Sequence, residues 1–289
     1  LQKTEIRNFT TEASNIIISW LFYCNKQKHV AYFRNGLAKW LEKNQNIKYV
    51  NNKYIVKEDI NYKIVRDLES FIRIILKISS EHIFYRGHSN INHMLHPSIN
   101  RSEKLIKNEA KLFQELLLRC PDDFVDCNSH LDYLVKMQHY RLPTRLLDIT
   151  EKPLVALYFA TNNFKNSNES GEVIVFDIKD RFFKYERSDI VTILSCLPLF
   201  DLSDQNELYK LSYLDDIVDF NNRETVKRFL HEIKIEKPAF IDKIKPADVR
   251  KNIIVKPSKK NSRIIKQSGA FILTGLINNK VNLYESPLE

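Results

Sequence analysis

The side chains able to do chemistry gather in three separated stretches. Arg86 closes the run Phe84-Tyr85-Arg86-Gly87. His139, Thr144, Arg145 and Asp148 crowd among Leu142, Leu146, Leu147 and Ile149 in the segment from Gln138 to Ala160. Gln267 precedes Ser268 and Gly269 near the end of the chain. Charges so close to core residues are costly unless they are paired or used. An arginine fork suits phosphate oxygens because it can hold two of them at once. Histidine as a residue type has an intrinsic pKa near neutrality, so His139 suits general acid–base work, or equally a cap on helix carbonyls. Glu109 falls beside an apolar stripe and needs a cation, which Arg86, Arg101 or Arg145 could supply. The competing structural reading makes Arg86, Glu109, Arg145 and Asp148 a buried ion-pair lattice tying helix to sheet.

These residues need elements to carry them. Apolar spacing from Ile64 to Leu76 predicts a helix over Tyr62 to Ser79. Glu81 to Gly87 then reads as a strand ending at its glycine, which puts Arg86 at a strand terminus. Ser102 to Cys120 reads as one amphipathic helix capped by Ser102. Ser129 and Asp132 open the next, roughly Leu131 to Tyr140. Pro143 forces Leu142 into extended backbone, and Thr144 to Ile149 follows as a short strand. Thr150 and Pro153 suit the start of another helix. Its run Leu154 to Ala160 is apolar all round, which predicts burial all round. Glu172 to Ile178 and Ile190 to Leu194 read as strands. Helical character recurs over Leu208 to Phe220 and Glu224 to Ile233, and Arg263 to Leu273 reads as two strand-like runs about Gly269. Residues 256–262 read as an exposed basic loop.

The expected organisation is an N-terminal helical attachment over residues 1–58, with helices near Ile16 to Phe22 and Val30 to Leu41 and a short strand at Tyr54 to Val56. An α+β domain over 59–289 follows, elaborated at about 180–250. Its core is a mixed or antiparallel sheet flanked by helices.

The 289 residues carry a net charge of +9, which leaves nucleic-acid contact open, although lysine is spread throughout. Cys24, Cys120, Cys127 and Cys196 share no CxxC spacing, which points to reduced thiols rather than a zinc site or disulfide framework. His88, His93 and His96 lack regular ligand spacing, so no metal is expected. The apolar run Ile16 to Tyr23 is too short to span a bilayer, and no signal-peptide pattern precedes it. A cytoplasmic location without membrane contact is the expectation. With only five glycines, each should mark a backbone requirement, Gly87 among them.

Taken together, Phe84 to Gly87 with Leu95 to Arg101, Gln138 to Ala160, and Arg263 to Phe271 resemble the FRG domain, a family named for a Phe/Tyr-Arg-Gly signature. Arg141 stands where that family more usually has glycine. A fainter similarity is to ADP-ribosyltransferases, which place an arginine at the end of a first strand, a Ser/Thr strand running into a helix, and a glutamate on a late strand. Here Arg86, then Thr144 to Ala160, fit the first two, and Gln267 stands where the late acid would be. The resemblance implies an intracellular bacterial effector of phage-defence or toxin type, with an ADP-ribosyltransferase-like pocket acting on NAD or modifying a macromolecular acceptor. On that reading, together with the residue chemistry above, the candidate catalytic residues are Arg86, His139, Asp148, Glu109 and Gln267. The candidate cofactor contacts are Arg86, Gly87, Thr144, Arg145 and Tyr140, with a regulatory partner also open. Cleavage of the nicotinamide bond builds positive charge that Asp148 or Glu109 would stabilise. Two other classes remain: a metal-dependent nuclease using Glu109, Asp148 and His139, and a nucleotide-sensing module without chemistry.

Overall fold

The structure, a computed structural model, describes residues 31–35, 47–50, 53–56, 61–79, 82–90, 93–162, 170–178, 183–257 and 269–276. In chain order the strands are β1 (Ala31–Asn35), β2 (Ile47–Val50), β3 (Lys53–Val56), β4 (Asn61–Val65), β5 (His82–His88), β6 (Leu146–Thr150), β7 (Gly171–Ile178), β8 (Phe183–Tyr185), β9 (Asn252–Lys256) and β10 (Gly269–Thr274). The helices are α1 (Leu68–Ile75), α2 (Glu103–Lys107), α3 (Glu109–Arg119), α4 (His130–His139), α5 (Pro153–Thr161), α6 (Asp189–Cys196), α7 (Leu202–Leu211), α8 (Ile217–Asn222) and α9 (Glu224–Glu236).

Eight of these strands form one mixed sheet in the order β4-β1-β7-β5-β6-β10-β9-β8, and β2 and β3 pair apart from it. Pairing is antiparallel except at β1–β7 and β8–β9. The α+β class with a mixed sheet flanked by helices is therefore as expected. Alternation along the strands divides the core. One face carries Tyr85, Val173 and Val175, covered by Phe71 of α1 and Ala156 and Ala160 of α5. Further along that face Leu146, Phe271 and Leu273 lie under Leu134, Met137, Leu194 and Phe229. The opposite face holds Phe84, Leu147, Ile149, Ile174, Phe176 and Ile272, with Leu95.

Two expected strands and helices exchange identity. Residues 31–35 form β1 rather than part of a helix over Val30 to Leu41, because the β7 edge offers a ladder that β1 completes. The other N-terminal helix, near Ile16, lies outside the described residues. The helix expected from Tyr62 begins only at Leu68, where the Asp67 side chain accepts from Ser70 N at 2.7 Å; residues 61–65 are β4. Ile190 to Leu194 is helical, within α6, where six consecutive residues are buried. A short apolar run reads alike as a buried strand or a buried helix. The helix expected from Ser102 divides at Asn108, and Ser102 makes no side-chain cap bond. The one expected from Leu208 to Phe220 divides where Asp216 caps α8. Strand β9 lies at the margin of the expected basic loop, where no element is predicted from the sequence. Among the described residues no helix is long and apolar enough to cross a membrane.

Helix α5 is not buried all round. Only Ala156 and Ala160 are sealed, while Tyr158 and Phe159 are 38% and 41% exposed. Those alanines lie directly on the sheet glycines. A Cβ on Gly87 would come within 1.9 Å of the Ala156 carbonyl oxygen, and one on Gly171 within 1.9 Å of the Ala160 carbonyl oxygen. Gly87 thus serves close helix–sheet approach.

A cleft where two strands part

Strands β5 and β6 pair only at Tyr85 and Thr150. Beyond that point the Asp148 carbonyl takes its hydrogen bond from the Arg86 guanidinium, whose Nη1 lies 2.6 Å away. On the helix-covered face, between α5 and the end of α4, a cleft of about 420 Å³ opens. Tyr85, Arg86, Gly87, Asp148, Thr150 and Phe271 contribute to its lining from the sheet, Val155 and Phe159 from α5, and Gln138, His139 and Arg141 from the end of α4. That volume suits a small-molecule ligand. Burial pushes the Tyr85 phenol up to about 12, so it stays protonated at neutral pH.

Asp148 is exposed to this cleft, and one of its oxygens is engaged: Gln138 Nε2 donates to Oδ2 at 2.7 Å. The buried Thr144 hydroxyl donates to Gln138 Oε1 at 3.1 Å, which orients the amide with its nitrogen toward Asp148. Thr144 therefore stands behind the lining and acts through Gln138.

Alternation sends the Arg86 side chain toward the face of Phe84 and His88. There its Nε donates to His88 Nε2 at 3.0 Å, and His88 Nδ1 lies 3.0 Å from Glu172 Oε1. His88 is 5% exposed and Glu172 fully buried. Burial lowers the His88 pKa, with Arg86 acting the same way and Glu172 opposing. A neutral imidazole meets both contacts, donating from Nδ1 to the carboxylate and accepting at Nε2 from Arg86. This chain clamps Arg86 from behind. Neither residue stands out in the sequence as a partner of Arg86: His88 follows the glycine at which the strand is expected to end, and Glu172 opens another expected strand. Continuing the alternation of β5 one step past Gly87 was the available signal, but their pairing joins positions 84 apart.

Other expected site residues lie elsewhere. Arg145 and Glu109 form a buried bidentate pair, Nε to Oε1 at 2.7 Å and Nη2 to Oε2 at 2.5 Å, braced by Gln205 Oε1 at 2.7 Å from Arg145 Nη2. Neither contributes to the cleft lining, so for this pair the structural reading prevails. Tyr140 turns away: its ring sits 6.1 Å from Phe124, and a hydrogen bond with Asp123 raises its pKa. Gln267 lies outside the described residues. The trio Glu109, Asp148 and His139 invoked for a nuclease is not assembled, because Glu109 is sealed against Arg145. Among the described residues no group of three or more His, Cys, Asp or Glu side chains could hold a metal ion.

The end of α4 is a Schellman turn, with Leu142 N bonded to Met137 O and Arg141 N to Gln138 O, both at 3.0 Å. Such a turn needs left-handed backbone, and Arg141 supplies it at φ 65°. For a residue other than glycine this costs about 1 kcal/mol.

The architecture is thus an α+β mixed sheet flanked by helices, parting over a charged cleft lined from β5, β6 and the end of α4. Residues 81–169 match the family model of the FRG domain. The match spans β5 through α5 and includes Arg86, Gln138, His139, Arg141 and Asp148. Comparison with curated proteins and with solved structures returned no match.

Proposed function

We propose that the cleft binds a nucleotide and uses NAD as substrate, splitting the bond between nicotinamide and ribose, with ADP-ribose passing to water or to a macromolecular acceptor. The observation that carries this reading is the Asp148 carboxylate. Gln138 holds one oxygen of this exposed, cleft-lining side chain, and a clamped guanidinium on the adjacent strand is bonded to the Asp148 carbonyl. A carboxylate so placed can stabilise an oxocarbenium-like centre as the leaving nicotinamide takes the bonding electrons. Arg86 supplies positive charge for phosphate, His139 at the cleft edge assists proton movement, and Phe159 and Phe271 offer apolar surface to a base or nicotinamide ring.

Incubation of the protein with labelled NAD and cell extract, following free nicotinamide and labelled macromolecules together, tests this reading and separates hydrolysis from transfer. Release of nicotinamide is expected. One observation favours a second reading, a nucleotide-binding module without turnover: among the described residues Asp148 is the sole carboxylate lining the cleft. Binding of NAD with no release of nicotinamide would select it. The effector and phage-defence reading rests on the FRG resemblance alone.

A further inference from the structure

We infer that Arg141 grips a phosphate of the ligand at the cleft rim, so that the nucleotide reading, on which this inference rests, becomes specific for a ligand carrying phosphate rather than a nucleoside. Three observations converge. First, Arg141 occupies the one left-handed position found among non-glycine residues of the described chain. Glycine would fit there without strain, and arginine brings no short side-chain hydrogen bond of the kind that lets asparagine tolerate it.

Second, the side chain has no capping task to justify that strain. Three of the last four α4 carbonyls are already taken by main-chain donors: Lys136 O by Tyr140 N, Gln138 O by Arg141 N and Met137 O by Leu142 N. An arginine at a helix C-terminus does gain from the helix dipole. A lysine or arginine one turn earlier, in unstrained backbone, would gain as much, and Lys136 already stands there.

Third, Arg141 is exposed, contributes to the cleft lining, and makes no side-chain hydrogen bond or ion pair with any described residue. The nearby Asp148 carboxylate is bonded to Gln138 and not to Arg141. A strained position that holds an unneutralised guanidinium at a cleft edge fits an anionic ligand, and the planar fork matches two phosphate oxygens. Arg86 differs in being clamped by His88 and the Asp148 carbonyl, whereas Arg141 is left to meet what enters.

The test compares Arg141→Gly and Arg141→Lys with the wild-type chain in thermal unfolding and in calorimetric titration with ADP-ribose, inorganic pyrophosphate and adenosine. Arg141→Gly should raise Tm by about 2–4 °C by relieving the backbone. It should also weaken ADP-ribose and pyrophosphate binding by about tenfold or more, with adenosine affinity unchanged. Arg141→Lys should keep part of the phosphate affinity and none of the gain in Tm. A Gly variant that loses Tm while binding ADP-ribose as tightly as wild type overturns the inference and leaves the nucleotide reading standing. So does equal weakening toward adenosine and ADP-ribose, which would mean a damaged cleft. If the wild-type chain binds neither ADP-ribose nor adenosine, the nucleotide reading falls and this inference with it.

Discussion

The Arg86 guanidinium donates to the main-chain carbonyl of Asp148, 2.6 Å away, and not to its carboxylate. Two opposite charges on adjacent strands therefore do not cancel each other. Arg86 closes the gap where β5 and β6 part, and the Asp148 side chain, bonded to Gln138, stays exposed at the cleft.

That division of labour separates two substitutions. Arg86→Ala leaves His88 Nε2 and the Asp148 carbonyl without their donor and should cost about 1.5–3 kcal/mol, as charged hydrogen bonds do. Asp148→Asn keeps both the carbonyl and an acceptor for Gln138, so its stability should stay within about 0.5 kcal/mol of wild type. Urea unfolding of the two variants measures the contrast, and equal losses would mean that Arg86 is bound through the carboxylate.

Glu109→Ala should destabilise by about 3–5 kcal/mol, because it strands the Arg145 guanidinium in the core. Ligand affinity of the molecules that still fold should not change, since neither partner contributes to the cleft lining. Chemical denaturation paired with binding per folded molecule checks both halves. A variant of unaltered stability that has lost binding would return Glu109 to the site.

At Gly87 the neighbouring atom is backbone, so alanine cannot be accommodated by a side-chain rotation. Gly87→Ala should push α5 off the sheet at a cost of about 3 kcal/mol or more, visible as a lowered Tm together with loss of cleft binding. An alanine variant with wild-type Tm would contradict the observed closeness of α5.

Acid should weaken the fold through two histidines. Burial lowers the pKa of both His88 and His96 below the ordinary 6.5. As pH falls below that value the unfolded chain takes up protons that the folded chain refuses, so stability drops toward the lowered folded values. Above 6.5 both states hold neutral imidazoles and the contribution is constant. His88→Gln should flatten the acid limb of a stability–pH curve; an unchanged limb would show that His88 takes up its proton equally in the folded and unfolded chain.

Much of the site could be read from residue types, and less of its geometry. The Phe-Tyr-Arg-Gly and Gln138 to Ala160 stretches did converge, because strand alternation and a proline-defined turn are local signals. The functional sorting of charges was not local. Arg145 and Glu109 looked as available as Asp148 until the fold enclosed them with Gln205, 60 positions from Arg145. Helix α5 misled for a similar reason: uniform apolarity cannot reveal that Gly87 and Gly171 admit only its alanine face, leaving Phe159 at the cleft. The exchange of strand for helix at Ile190 to Leu194 followed from β-branched composition within a run too short to show its period.

The central claim is that Asp148 faces a bound NAD. The direct measurement is nicotinamide release from NAD by the wild-type chain and by Asp148→Asn at matched folded concentration. The account predicts release by the wild-type chain and a loss of about a hundredfold or more in the variant with no change in Tm; equal release from both, or none from the wild-type chain under any condition that preserves its fold, would contradict it.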